Sequence, residues 1–271
     1  MTPSPSLGVG SNGSNPMKGE YHTRLKDARV LVIGAASGIG RASALRLATE
    51  GASLAVADRN GKEAEATAAE TGGPVFQVDV TDEREVEGCL ASAASSLGGL
   101  TGVFSTAGML VGSPLEETSL ETWTECLEVN ATGAFLVAKH SIPHLKRSGG
   151  GAILLTSSTS GLAGSRGQGA YCASKHAIIG LTRALADELA EHRIRVNCLA
   201  PGWIDTAFND PVWELMGGKG RVEAQVLEMV PQRRQASPEE VAAAAAFLLS
   251  SDASYVTGVA MEVDGGLMAV R

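Results

Sequence analysis

The sequence predicts a doubly wound α/β fold of the Rossmann type: one domain, with a parallel sheet of about seven strands and helices on both faces. Three observations carry that expectation. From Ala28 onward, short β-rich runs alternate with Ala- and Leu-rich segments of helical length. Most of the runs are continuously apolar instead of alternating, as parallel strands covered on both faces require. The first run also turns through closely spaced glycines into a helix and the second ends in an acid, the opening of a dinucleotide-binding unit.

In chain order, residues 1–22 are rich in Ser, Pro, Gly and Asn and lack the apolar core of a signal peptide, so they read as a disordered tail, with Met17 as an alternative start. The folded domain then runs over 23–271. Its strands are expected at RVLVIG, SLAVAD, PVFQVDV, GVFSTAG, AILLTSS, IRVNCLAP and VAMEVDGG. Gly34, Gly38 and Gly40, after the first strand, let the backbone approach a diphosphate, and the helix that follows offers free N–H groups and positive dipole. Asp58 closes the second strand eighteen residues after Gly40. Its carboxylate would accept from ribose hydroxyls and repel a 2′-phosphate, which favours NAD over NADP, although Arg59 beside it leaves a phosphate partner open.

The helix GAYCASKHAIIGLTRALADEL sets Tyr171 one turn before Lys175, so phenol and ammonium share a face, as a plain surface pair or as an acid/base unit. Between Pro201 and Ser237 lies an unusually long connection, in which 203–236 reads as a substrate lid with one or two short helices. Its Trp203, Phe208, Trp213 and Met216 suit either the underside of the lid or the wall of a pocket. SPEEVAAAAAFLL then opens a helix capped by Ser237, with Pro238 and Glu239 in its first turn.

Composition narrows the function. In 271 residues, 44% are hydrophobic, 19% are charged and 33 are glycine, which suits one large domain with many tight turns. A net charge of -8 without a dense Lys/Arg block argues against nucleic acid as a partner. Cys89, Cys126, Cys172 and Cys198 lie far apart with no CxxC pair, and the five histidines do not cluster near them, so neither a metal site nor a disulfide framework is expected, and a reducing cytoplasm is the natural setting. Cys172 reads as a packing residue, and His140, His144 and His176 as solvated or packed helix residues. The longest apolar run, Val241 to Leu249, is too short to span a bilayer, so no membrane role is expected.

Together, the GAASGIG turn, Asp79 and Val80 after the third strand, Asn130, Ser158, Tyr171 with Lys175, Pro201 with Gly202 and the late VDGG resemble the single-domain short-chain dehydrogenase/reductase family. The resemblance spans nearly everything from Arg24 to the C-terminus. It implies that Gly34, Ser37, Gly38, Ile39 and Gly40 form a diphosphate turn, that Asp58 holds the adenosine ribose and that Asp79 and Val80 border the adenine. Ala107, Gly108, Pro201 and Gly202 would also line the cofactor, with Ile204 and Thr206 at the nicotinamide carboxamide. Asn130, Ser158, Tyr171 and Lys175 look like the family's catalytic tetrad. Of the adjacent Ser157 and Ser158, the second stands thirteen residues before the tyrosine, as the family spacing asks. Ile33, where the family commonly has threonine, and STAG for the common NNAG depart from the pattern at positions that brace the central strands and the cofactor loop. The resemblance also implies a homotetramer, packed through the long helices and the segment from Val256 to Arg271.

Moving a hydride from a secondary alcohol to a nicotinamide needs a base for the hydroxyl proton and a donor for the developing oxyanion. Tyr171 and Ser158 meet those needs. A free phenol ionises near 10, so the expectation is that Lys175, with the charge of the oxidised nicotinamide, favours the phenolate. The resemblance gives Lys175 a second role on the nicotinamide ribose and Asn130 a part in a water-linked proton path. The expected activity is an NAD-dependent oxidoreductase acting on a secondary alcohol, small and polar, sugar-like or alicyclic, or on the matching ketone. An NADPH-dependent ketoreductase and a non-catalytic nucleotide sensor or scaffold on the same fold are the alternatives.

Overall fold

A computed structural model describes residues 23–270; the expected tail over 1–22 and the second start at Met17 lie outside the described residues. Seven strands, β1 (Arg29–Ile33), β2 (Ser53–Asp58), β3 (Val75–Gln77), β4 (Gly102–Ser105), β5 (Gly151–Thr156), β6 (Ile194–Pro201) and β7 (Ala260–Val263), form one all-parallel sheet in the order β3-β2-β1-β4-β5-β6-β7. The helices are α1 (Gly38–Thr49), α2 (Gly61–Thr71), α3 (Glu83–Leu97), α4 (Leu120–Leu127), α5 (Gly133–Arg147), α6 (Gly169–Leu189), α7 (Asp210–Leu215), α8 (Lys219–Met229) and α9 (Pro238–Leu249).

The continuously apolar strands are explained by two cores, one on each side of the sheet. Leu31, Ile33, Ala55 and Val103 point to one face, under Leu90 of α3, Val137 of α5 and Ile178 of α6. Val30, Val32, Leu54 and Val56 point to the other, under Ala44 and Leu47 of α1 and Val241 and Ala245 of α9. Successive residues of a strand face opposite ways, so a strand covered twice has no room for a polar alternate. The edge strand β3 is shorter than the run PVFQVDV suggested, because its only neighbour, β2, pairs with it over Val56–Asp58 alone.

Strand order reverses between β1 and β4, which opens a crevice beyond their carboxyl ends. Between α4 and α5 the helix widens into a π-helical turn at Glu128–Thr132, which carries Asn130. No proline or glycine marks the change within the turn; insertions of this kind are frequent at functional sites.

The long connection closes on itself at a narrow neck. Asp205 N–H donates to Ala236 O (2.9 Å) and Ala236 N–H to Trp203 O (3.0 Å). Inside the neck, α7 and α8 pack around Trp213, Val222, Val226 and Val230, with Leu267 contributed from the C-terminal segment.

Candidate active site

The first wall of the crevice is the turn after β1. Gly34 has φ +85°, and a Cβ on Gly40 would run into the Gly34 carbonyl, so the tight turn and the close seat of α1 against it both require glycine. The Gly38, Ile39 and Gly40 amides precede the first hydrogen bond of α1, from Arg41 N–H to Ser37 O (3.1 Å). Ser37 stands at the N-cap without using its side chain as a cap. Free N–H groups and positive dipole thus face the crevice, a fit for an anionic diphosphate.

Neighbouring strands brace this turn. Thr106, in the STAG that departs from the family pattern, donates from its hydroxyl to the carbonyls of Ile33 and Gly34 (both 3.0 Å). Asp58 at the end of β2 accepts from Ala36 N–H and Asn60 N–H (both 2.9 Å). The two carboxylate oxygens are therefore fixed in place and keep lone pairs toward the cleft. Asp79 accepts from Thr81 N–H (2.9 Å) and from its hydroxyl (2.7 Å), which holds the carboxyl below its usual range.

Gly34, Ser37, Gly38, Ile39, Gly40, Asp58, Asp79, Val80, Ala107, Gly108, Ser158, Tyr171, Lys175, Pro201, Gly202, Ile204 and Thr206 all line one cleft of about 680 Å³. Thr206 faces Gly38 across it, 3.4 Å from where a Cβ would stand. Asn130 alone of the expected site residues lies behind the wall. It is 1% exposed, its Oδ1 accepts from Met109 N–H (2.8 Å), and its Nδ2 donates to Met109 O and to Ser174 Oγ (both 2.9 Å). Gly108 brings it near the cleft: a Cβ there would lie 3.0 Å from Asn130 Oδ1 and 3.3 Å from Lys175 Nζ.

The two serines after β5 have different work. Ser157 donates to Lys175 O (2.9 Å) and ties the strand to α6, whereas Ser158 accepts from Ser160 N–H (3.1 Å) and lines the cleft with the Tyr171 phenol. Lys175 Nζ donates to Thr156 O (2.9 Å) and lies 5.5 Å from the centre of the Tyr171 ring. Burial lowers the Lys175 ammonium to about 8. Burial also raises the Tyr171 phenol above its ordinary value, a rise that the nearby Ser158 hydroxyl only partly opposes. In the protein alone, desolvation therefore outweighs the expected pull of Lys175 toward the phenolate, for the physical reason that the same dry pocket also weakens the cation.

The aromatic residues of the long connection divide. Trp213 and Met216 pack into its own core, and Trp203 both joins that core and lines the cleft. Phe208 is 40% exposed and stacks obliquely on Tyr171, with ring centres 6.3 Å apart. Sequence reasoning missed Ser160 and Gln168, which also line the cleft. Their signal was available: Ser160 follows Ser158 by two residues and Gln168 precedes Tyr171 by three.

Among the described residues no helix is long and apolar enough to cross a membrane, and no cluster of three or more His, Cys, Asp or Glu could hold a metal ion.

Residues 34–268 match a family model described as Enoyl-(Acyl carrier protein) reductase. The 2,5-dichloro-2,5-cyclohexadiene-1,4-diol dehydrogenase of Sphingobium indicum is 38% identical over 250 residues, covering 91% of this chain and 99% of the relative. The (3R)-3-hydroxyacyl-CoA dehydrogenase of Mus musculus is 38% identical over 264 residues, covering 90% and 97%. Among solved structures, carveol dehydrogenase from Mycobacterium avium in complex with NAD superposes with a TM-score of 0.87 at 30% identity, covering 91% of this chain and 99% of that one.

Proposed function

Because this chain belongs to the short-chain dehydrogenase/reductase family, whose members bind a nicotinamide cofactor, we propose that it is an NAD-dependent dehydrogenase of secondary alcohols carried on a small ring. The observation that bears most weight is the convergence of Ser158, Tyr171 and Lys175 on the same cleft as the glycine turn and Asp58. A protein that only sensed nucleotide would have no use for a serine and a phenol set together on the wall of that cleft. The ring is suggested by the cyclohexadienediol in the name of the Sphingobium relative, and by a wall that pairs Met109, Leu110 and Phe208 with a few hydroxyls.

In this reading the nicotinamide accepts the hydride and, once oxidised, adds positive charge to the pocket. The rest falls to the chain. Ser158 donates to the substrate oxygen and fixes its distance from Tyr171. The phenol oxygen takes the hydroxyl proton during oxidation and returns it during reduction. Lys175, anchored by Thr156 O, places a side-chain cation beside the tyrosine, 5.5 Å from its ring centre. The Asn130 carboxamide is fully committed to Met109 and Ser174, so any share it takes in a proton path passes through its main chain. Segment 203–236 acts as the lid, with Phe208 laid against the tyrosine.

Support for NAD over NADP comes from Asp58, a fixed anion where a 2′-phosphate would sit, and from the NAD in the carveol dehydrogenase structure. The test is reduced-nicotinamide absorbance with NAD or NADP over a panel of secondary alcohols. Asp58→Ala is expected to raise the KM for NAD by about 10-fold or more, the loss of one charge-assisted ribose contact. The same change narrows the preference over NADP, and an unchanged cofactor ratio would place the ribose elsewhere.

The same reading makes the protein a cytoplasmic homotetramer. Four free cysteines suit a reducing compartment. Phe135 on α5, Val259 beside β7 and Val270 near the C-terminus are exposed apolar residues that subunits would cover. Light scattering should give the mass of four chains, and a monomer at micromolar concentration would remove this part of the proposal.

A further inference from the structure

Gln168 is nine-tenths buried (9% exposed) on the cleft wall, immediately before α6 and three residues ahead of Tyr171. Its main chain is fixed on both sides: Gln168 N–H donates to Ser165 O (3.2 Å) and Gln168 O accepts from Cys172 N–H (2.8 Å). Its carboxamide is fixed at one end only. Oε1 accepts from Ser160 Oγ (3.0 Å), and Ser160 is itself held, its N–H donating to Ser158 Oγ (3.1 Å) and its hydroxyl lying 3.3 Å from Ser165 Oγ. Nε2 has no hydrogen-bond partner among the described residues. A carboxamide nitrogen carries two donors, and these open onto the cleft that Gln168 lines, free for a ligand oxygen.

We infer that Gln168 donates to a second oxygen of the substrate, distinct from the one that Ser158 and Tyr171 address, so that the preferred substrate is a secondary alcohol bearing a further hydroxyl or carbonyl. The inference rests on the dehydrogenase reading above and deepens it. A neutral oxygen is favoured over a carboxylate by the charges around the cleft. Besides Lys175, the cations on its wall are Arg41 on α1 and Arg59 after β2, both at the end of the glycine turn, while Glu125 adds an anion. The remaining neighbours toward Tyr171, Met109, Leu110 and Phe208, are apolar and suit a hydrocarbon ring between the two oxygens. Ser160 holds the acceptor end of the amide, so the donor end is what a ligand meets.

The test compares kcat/KM for cyclohexanol with that for the 1,2-, 1,3- and 1,4-cyclohexanediols, in the wild-type chain and in Gln168→Leu and Gln168→Glu, each first checked for cofactor binding by fluorescence titration. The wild type should prefer at least one diol, and both substitutions should lower the diol-to-cyclohexanol ratio by about 10-fold or more, through KM more than kcat. A wild-type protein that oxidises cyclohexanol and gains nothing from a second oxygen overturns this inference alone, as does an unchanged ratio in both variants. A protein inert toward the whole panel with either cofactor overturns the dehydrogenase reading along with it.

Discussion

Tyr171→Phe should lower turnover of secondary alcohols by roughly 10²–10⁴-fold, the range that a positioned acid/base contributes, while leaving cofactor affinity nearly unchanged. Only the phenol oxygen is lost. The ring keeps its contact with Phe208 and its place in the small cluster with Val111, Cys126 and Ala170, so the fold has no reason to yield. Ser158 keeps its hydrogen bond from the Ser160 amide. Because burial holds the phenol above its ordinary value, the wild-type rate of oxidation, which needs the phenolate, should climb with pH into the alkaline range. Reduction, which needs the phenol, should hold steady over the same interval. Steady-state kinetics beside a fluorescence titration of the cofactor decide the matter, and substantial residual turnover in the phenylalanine variant would assign the proton to another group.

Lys175→Met should cost at least about 100-fold in turnover, since it removes the side-chain cation beside the tyrosine, and yet it should make the protein more stable at neutral pH. The ammonium is 2% exposed, and burial lowers its pKa from the ordinary 10.5 to about 8. A cation so displaced burdens the folded state by about 3 kcal/mol below pH 8, against about 1.5–3 kcal/mol returned by its charge-assisted hydrogen bond to Thr156 O, so the gain is at most about 1.5 kcal/mol. The direction with pH follows. Between about 8 and 10.5 the unfolded chain still holds the proton that the folded chain has released. Stability of the wild type therefore rises through that window, and the burden is gone above it. Urea denaturation at pH 7 and again near pH 10 should show the methionine variant ahead by a margin that shrinks at the higher pH. A variant less stable at pH 7 would mean that the amine is better solvated than its surroundings imply. Loss of function joined to a gain in stability is the mark of a group kept for chemistry.

Much of this molecule was legible in its sequence because the physics involved is local or periodic. A strand buried on both faces must be apolar throughout, so β1, β2, β5 and β6 announced themselves. The turn at Gly34, Gly38 and Gly40 was legible because only glycine satisfies it, and Tyr171 and Lys175 because helical spacing alone puts them on one face. What stayed hidden depends on distant segments meeting. The π-helical turn at Asn130 shifts the helix register without a breaker residue, so its carboxamide could be expected near the site but not committed to Met109 and Ser174. The rise of the Tyr171 phenol reflects burial among residues brought from four stretches of chain, Val111, Cys126, Tyr171 itself and Phe208. The free amide of Gln168 is visible only once Ser160 is seen to occupy its other end.

The neck at Trp203 and Ala236 has a consequence for how such a protein diversifies. A loop that leaves and re-enters the sheet at one point, and carries its own apolar centre in Trp213, Val222 and Val226, is close to an autonomous insert. Its sequence can drift, lengthen or be exchanged with little strain on the strands beneath, because the ends stay where they were. The reacting groups sit on α6 and on the turn that follows β5, outside the insert. Selection can therefore rewrite this part of the cleft wall while leaving Ser158, Tyr171 and Lys175 where they stand.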